Sequence, residues 1–182
     1  MIKIKSPLDE GTIKVLKAGD FVLLSGIIYT GRDAAHKRFI EIINKGEKLS
    51  FDIKNSVIYY VGPTPPKPGY VIGSCGPTTS YRMDKYTPKL LEIGLKGMIG
   101  KGERNKDVID AIVKYRGVYF TAIGGAGAFI SKCVKKADVI AFEDLGPEAV
   151  MRLEVEDFPL IVTIDANGND FSKIGIEKYR RV

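Results

Sequence analysis

Apolar residues along the chain fall into short runs of strand formers, separated by stretches in which they recur at helical spacing. The strongest run is Phe21-Val22-Leu23-Leu24-Ser25-Gly26-Ile27-Ile28. It predicts a central strand or strand pair, with a bulge at Gly26. Further strands are expected at 57–61, 97–102, 118–123, 139–142 and 160–165, with a short buried one at Tyr70-Val71-Ile72. Thr12-Ile13-Lys14-Val15-Leu16 alternates weakly and reads as an edge strand. Helical spacing links Ala35, Phe39, Ile42 and Ile43, with Thr30 as the expected cap and Gly46 as the stop. Leu90, Leu91 and Leu95 follow a second start, where Thr87 reads as cap and Pro88 as first helical residue. Asn105 is placed to cap a third helix carrying Val108, Ile109, Ile112 and Val113. A fourth helix follows the glycine turn at 124–128, and a short one is expected from Pro147 to Arg152.

From residue 70 onward strands and helices alternate, the mark of an α/β core with parallel βαβ units, whereas the first third is richer in strands. Residues 1–182 read as one domain with a mixed sheet. Gly62-Pro63-Thr64-Pro65-Pro66-Lys67-Pro68-Gly69 is too rich in proline for helix or ladder, and reads as a stiff surface connection inside that domain.

Composition narrows the function classes. The 182 residues are 45% apolar and 27% charged, ordinary for a globular chain long enough to bury a core. No apolar run reaches membrane-spanning length, and the start lacks the pattern of a signal peptide, so no membrane association and a cytoplasmic location are expected. The net charge of +6 favours anionic partners. The basic residues are scattered and Trp is absent, so nucleic acid is not the expected one. Two cysteines, Cys75 and Cys133, and a single histidine, His36, are too few for an autonomous metal centre or cluster, so no metal ligands are assigned to this chain.

Three stretches carry candidate chemistry. Gly73 to Asp84 follows an apolar run and contains Thr78-Thr79-Ser80 and Arg82. In a helical turn Thr78 and Arg82 share a face, and together with free backbone N–H groups they would suit a carboxylate. An ordinary capped turn with a solvated arginine is the plainer account. In Thr30-Gly31-Arg32-Asp33-Ala34-Ala35-His36, Arg32 lies in a first helical turn, which disfavours a cation unless an anion joins it. His36 reads equally as a packed histidine. Lys101, between Gly100 and Gly102, ends a strand. The turn Gly124-Gly125-Ala126-Gly127 fails as a dinucleotide site, because bulky Ile130 stands where the third glycine is required.

These three stretches, with Gly124-Gly125-Ala126-Gly127-Ala128 and the run from Phe142-Glu143-Asp144-Leu145-Gly146 to Glu154-Val155-Glu156-Asp157-Phe158-Pro159, resemble the beta subunit, or C-terminal domain, of iron–sulfur-dependent class I fumarate hydratases and tartrate dehydratases. The resemblance implies a swivelling β/β/α domain that closes over a 4Fe–4S cluster held by three cysteines of an alpha subunit. It implies a hydro-lyase active only with that partner, hydrating fumarate to malate, or alternatively an L-tartrate dehydratase. A homodimer within a heterotetramer is compatible with it. Carried over by motif, Arg32, Arg82 and Lys101 would grip the substrate carboxylates, with Thr79 beside them. Thr78 would act near the proton-transfer carbon, and His36 would assist. Thr79 remains open as the acting hydroxyl, with Thr78 the cap. A non-catalytic domain binding a small dicarboxylate or nucleotide, and a partner subunit with a decayed site, are the competing classes.

Overall fold

The computed structural model describes residues 1–180. Strand β1 (Ile2–Ser6) leads to helix α1 (Glu10–Val15), β2 (Phe21–Thr30), α2 (Asp33–Asn44) and β3 (Val57–Tyr59). A 3-10 turn (Ser80–Met83) precedes α3 (Thr87–Glu92), β4 (Gly97–Gly100), α4 (Lys106–Tyr115) and β5 (Val118–Thr121). Then come α5 (Gly127–Cys133), β6 (Val134–Ala141), a second 3-10 segment (Glu143–Glu148), β7 (Val150–Ile164) and α6 (Phe171–Tyr179).

The sheet is mixed. β1, β2, β3, β4 and β5 pair in parallel along that order, while β7 runs antiparallel to β2, β5 and β6. Because β7 pairs with both β2 and β5, strands β2-β3-β4-β5-β7 close on themselves, with β1 and β6 attached outside the ring. Closure removes two sheet edges that would otherwise need covering. The period-two pleat sorts side chains to the two faces. Val57, Tyr59, Ile99, Phe120 and Val162 join one apolar cluster, which Ile13 of α1 and Ile130 of α5 complete. Ile58, Tyr60, Met98 and Tyr119 face the other way, against Phe39 of α2, Leu90 and Leu91 of α3, and Ile112 of α4.

The bulge at Gly26 is present. The register shifts between Leu24 and Gly26, and Gly26 has φ +107. A β-carbon there would also run into the Ser6 carbonyl, so glycine is required on two counts.

Several expected elements differ. Residues 12–15 belong to α1, which Leu16 ends, and form no edge strand: Asp9 caps the helix by accepting from Thr12 N at 2.6 Å, and Ile13 and Leu16, three apart, are both buried. Tyr70-Val71-Ile72 forms no strand. Tyr70 and Val71 stand exposed beside a turn, and only Ile72 is buried. The helix expected from Pro147 is instead a 3-10 segment that ends at Glu148, followed by strand from Val150. There Val150, Leu153, Val155, Phe158, Leu160, Val162 and Ile164 are buried in near alternation, with two three-residue steps, one after Val150 and one that holds Asp157, φ +48. Thr30 does not cap α2. It ends β2 buried, donating to Ala149 O at 3.1 Å and accepting from Met151 N at 2.8 Å. Thr87 lies inside α3, its hydroxyl donating to Met83 O.

Candidate active site

The carboxyl ends of the parallel strands β2, β3 and β4 lie side by side; β2 and β4 lead directly to Arg32 and Lys101, and Thr78 returns to the end of β3. Gly31 N, just past β2, donates to Tyr59 O at 3.0 Å, and Tyr60 N donates to Ile99 O at 2.8 Å. At this end of the parallel strands backbone groups run out of ladder partners. Arg32 follows β2 and occupies the N-cap position of α2 without capping it by its side chain.

The second candidate stretch is stitched between β3 and β4. Thr78 N donates to Tyr60 O at 2.7 Å, Lys101 N donates to Thr78 O at 3.3 Å, and Ser80 N donates to Lys101 O at 2.9 Å. Thr79 and Lys101 form a parallel bridge. Thr78, Thr79 and Lys101 are therefore fixed together through the backbone. The 3-10 turn begins at Ser80, so Thr78 precedes it and does not share a helical face with Arg82. Ser80 is buried, and its hydroxyl meets Tyr119 OH at 2.9 Å while Tyr119 OH donates to Gly102 O at 2.9 Å. Gly100 has to be glycine, since a β-carbon there would overlap the Ser80 hydroxyl.

Arg32 and Arg82 converge on one carboxylate. Arg82 Nε donates to Asp33 Oδ1 at 2.8 Å, and its Nη2 lies 2.8 Å from Oδ2. Arg32 Nε lies 4.0 Å from the same Oδ2, and its Nη2 lies 3.4 Å from Glu148 Oε1. Glu148 Oε2 accepts from Ala34 N at 3.1 Å, so it occupies a backbone donor of the α2 first turn. Nothing in the sequence marked Glu148. It comes from the segment read as a helix and reaches the site only because β7 pairs with β2. The two arginines are thus balanced by two resident carboxylates. Lys101 is exposed and, among the described residues, has no ion pair, so it carries the net positive charge of the group. Gly62 makes room for Arg32, because a β-carbon there would come within 2.9 Å of its Nη1.

His36 is fully buried beneath this turn, its ring packed among Phe39, Tyr60 and Tyr86. Nδ1 is 2.9 Å from Arg32 O, which as a carbonyl can only accept, so Nδ1 carries the proton. Nε2 is buried without a partner. Burial pushes the imidazole pKa down to about 4, so the ring is neutral at pH 7. His36 therefore props the backbone of Arg32 from behind.

A second unforeseen residue is Arg104, three positions after Lys101. Its side chain is wholly buried, Nε donating to Asp84 Oδ1 at 2.6 Å and Nη2 to Thr87 Oγ1 at 2.8 Å. It stands over the Tyr60 and Tyr119 rings at 5.4 and 5.0 Å. Asp84 Oδ2 accepts from Asn105 N at 2.7 Å, so this pair ties the 3-10 turn to the chain leaving β4. The glycine turn before α5 serves packing: a β-carbon on Gly127 would meet Ser74 Oγ at 2.5 Å and Gly76 N at 2.8 Å.

Among the described residues no three His, Cys, Asp or Glu side chains gather as a metal site. Burial pushes the Cys75 thiol up to about 12 and also raises that of Cys133, so neither is poised as a thiolate. Among the described residues no helix is long and apolar enough to cross a membrane.

Three basic side chains, two of them facing carboxylates, thus stand at the strand ends of a mixed α/β sheet. The chain belongs to the family described as Fumarase C-terminus, which matches residues 1–175. It is 39% identical over 182 residues to a protein of Methanocaldococcus jannaschii assigned as the beta subunit of L(+)-tartrate dehydratase, covering 96% of this chain and 93% of that one. It is 43% identical over 150 residues to the anaerobic class I fumarate hydratase of Escherichia coli, covering 81% of this chain and 27% of that protein. With fumarate hydratase 2 of Leishmania major it shares 39% identity over 173 residues, 93% of this chain and 30% of that one. The chain spans under a third of these two fumarate hydratases and nearly the full length of the tartrate dehydratase subunit.

Proposed function

We propose that residues 1–182 act as one swivelling domain, the beta subunit of a hydro-lyase that adds water reversibly across the double bond of fumarate. The observation that carries this reading is the meeting of Arg32 and Arg82 on Asp33 at the strand ends, with Thr78, Thr79 and Lys101 tied together through the backbone at the neighbouring ends of β3 and β4. Hydrating a double bond conjugated to a carboxylate builds negative charge on that carboxylate. Fixed cations aimed at its oxygens stabilise the charge without reorganising. In this reading Arg32, Arg82 and Lys101 bind and orient the two carboxylates, with Thr79 beside them. Thr78 handles the proton at the carbon next to a carboxylate, its hydroxyl made more acidic by the neighbouring cations. His36 assists by fixing the Arg32 backbone.

The 4Fe–4S cluster that goes with this chemistry belongs, in the same proposal, to an alpha subunit. L-tartrate is the second substrate reading, favoured by the relative of matching length. Fumarate and tartrate differ only in groups that a few pocket contacts read. The test is anaerobic reconstitution. The chain alone is expected to fold, to be colourless and to leave both substrates unchanged. Joined to a cluster-loaded alpha subunit, it should form a stable complex that consumes fumarate. Robust turnover by the chain alone would overturn the half-site reading, and turnover of tartrate only would decide for the second substrate.

A further inference from the structure

Asp33 is where the two arginines meet, and the functional reading so far gives it no task. Arg82 stands on a one-turn 3-10 segment with its side chain 41% exposed. Among the described residues its guanidinium has no hydrogen bond or ion pair except with Asp33. A guanidinium presents five N–H donors in a rigid plane. Nε and Nη2, the pair engaged on Asp33, form one edge of that plane. The edge formed by Nη1 with the second Nη2 proton stays open, and it has the spacing of a second carboxylate. Asp33 itself is held by the first turn of α2, where the helix end favours a negative charge. Asp33 Oδ2 also lies 4.0 Å from Arg32 Nε, an ion-pair distance without a hydrogen bond, so this carboxylate stands between the two cations.

We propose that Asp33 is a positioning residue, which turns the open edge of Arg82 toward a substrate carboxylate and fixes its spacing from Arg32. This rests on the dicarboxylate reading above. It excludes the opposite role, in which Asp33 is a resident carboxylate that the substrate has to displace. A displaced competitor would make Asp33→Asn bind substrate more tightly. A positioning residue makes it bind and react less well.

The experiment has two arms. In the isolated, 15N-labelled chain, the Arg82 Nε–H signal, identified by its loss in Arg82→Lys, should be protected from exchange and become averaged in Asp33→Asn. In the enzyme assembled with its alpha subunit, Asp33→Asn should lower kcat/KM about 100-fold, the scale of a misplaced binding group. The double variant Arg82→Ala/Asp33→Asn should match Arg82→Ala within about twofold, because Asp33 acts through Arg82. A merely structural role would add its full effect in that background. Wild-type turnover in Asp33→Asn, tighter binding, or additivity would overturn the proposal. An assembly whose wild type acts on neither fumarate nor tartrate would sink the hydro-lyase reading and the substrate half of this one. The Nε–H signal would still decide whether Asp33 holds Arg82.

Discussion

Glu148 and Arg32 face each other across the first turn of α2, carboxylate to guanidinium at 3.4 Å, while the second Glu148 oxygen accepts from the Ala34 N–H. Glu148 thus caps a helix to which it does not belong, joining the strand end of β2 to the segment before β7. Replacing a capping oxygen typically costs about 1 kcal/mol. Glu148→Ala is therefore expected to lower Tm by about 2–4 °C in a chain of this size. Glu148→Gln keeps an acceptor for Ala34 and should lose less. Thermal unfolding of the two variants checks this, and equal losses would show that the charge rather than the cap matters.

The cation group makes a kinetic prediction. Arg32→Ala, Arg82→Ala and Lys101→Ala in the assembled enzyme should each lower kcat/KM strongly and leave the fold intact. Loss of a charged partner from a desolvated pair costs about 2–5 kcal/mol. Lys101 should show the purest effect on substrate, because no carboxylate among the described residues pairs with it. Steady-state kinetics beside unfolding curves separates the two effects. Near-normal turnover in both arginine variants would remove the carboxylate clamp.

Thr78 and Thr79 are held to Lys101 through backbone bonds on successive residues, so their side chains project differently from one fixed strip. Thr78→Ser should keep partial activity and Thr78→Ala should lose most of it. If Thr79→Ala is the inactive variant instead, the acting hydroxyl is the neighbouring one.

Local sequence showed the parts of the site better than the way they are joined. Arg32 and Lys101 stood beside glycines at strand ends, and the structure puts them at the exits of β2 and β4, whereas Thr78 was read after a strand at 70–72 that does not form and joins them through its bond to Tyr60 O beyond β3. Asp33, Glu148 and Arg104 went unassigned because their roles depend on contacts far along the chain. Glu148 lies 114 residues from Ala34, and Arg104 lies 20 from Asp84. The misread elements share a cause. Thr12, Ile13 and Val15 are β-branched, so propensity pointed to strand, yet the Asp9 cap and the burial of Ile13 with Leu16 favoured a helix. In β7 the alternation is interrupted at Asp157, and its register becomes visible only once β2 supplies the partner. Tyr70 and Val71 are strand formers with no strand beside them.

Arg104 and Asp84 form a buried ion pair, both almost fully out of solvent. Such a pair adds little net stability, but removing one partner strands the other charge. Arg104→Ala should cost about 3–5 kcal/mol in urea unfolding, and Arg104→Lys should recover only part, since one ammonium cannot reach both Asp84 and Thr87. A loss under about 1 kcal/mol, the scale of an exposed pair, would contradict the buried hub.

His36 makes the stability depend on pH in a defined window. Its pKa is about 4 in the folded chain against about 6.5 for a free histidine, because burial disfavours the imidazolium and Nε2 has no acceptor for a second proton. Between these values the unfolded chain binds the proton and the folded chain does not. The unfolding free energy therefore falls as pH drops from 6.5 toward 4, and the contribution is complete above 6.5. A displacement of this size corresponds to about 3 kcal/mol across the window. Carboxylates also titrate there, so the comparison is with His36→Gln, which cannot titrate and can still donate to the Arg32 carbonyl. Urea unfolding at pH 7 and at pH 4.5 should show a steeper loss in the wild type than in His36→Gln. Parallel losses would mean that the imidazole is solvated and protonates freely in the folded chain, and His36 would then no longer be a buried support for Arg32.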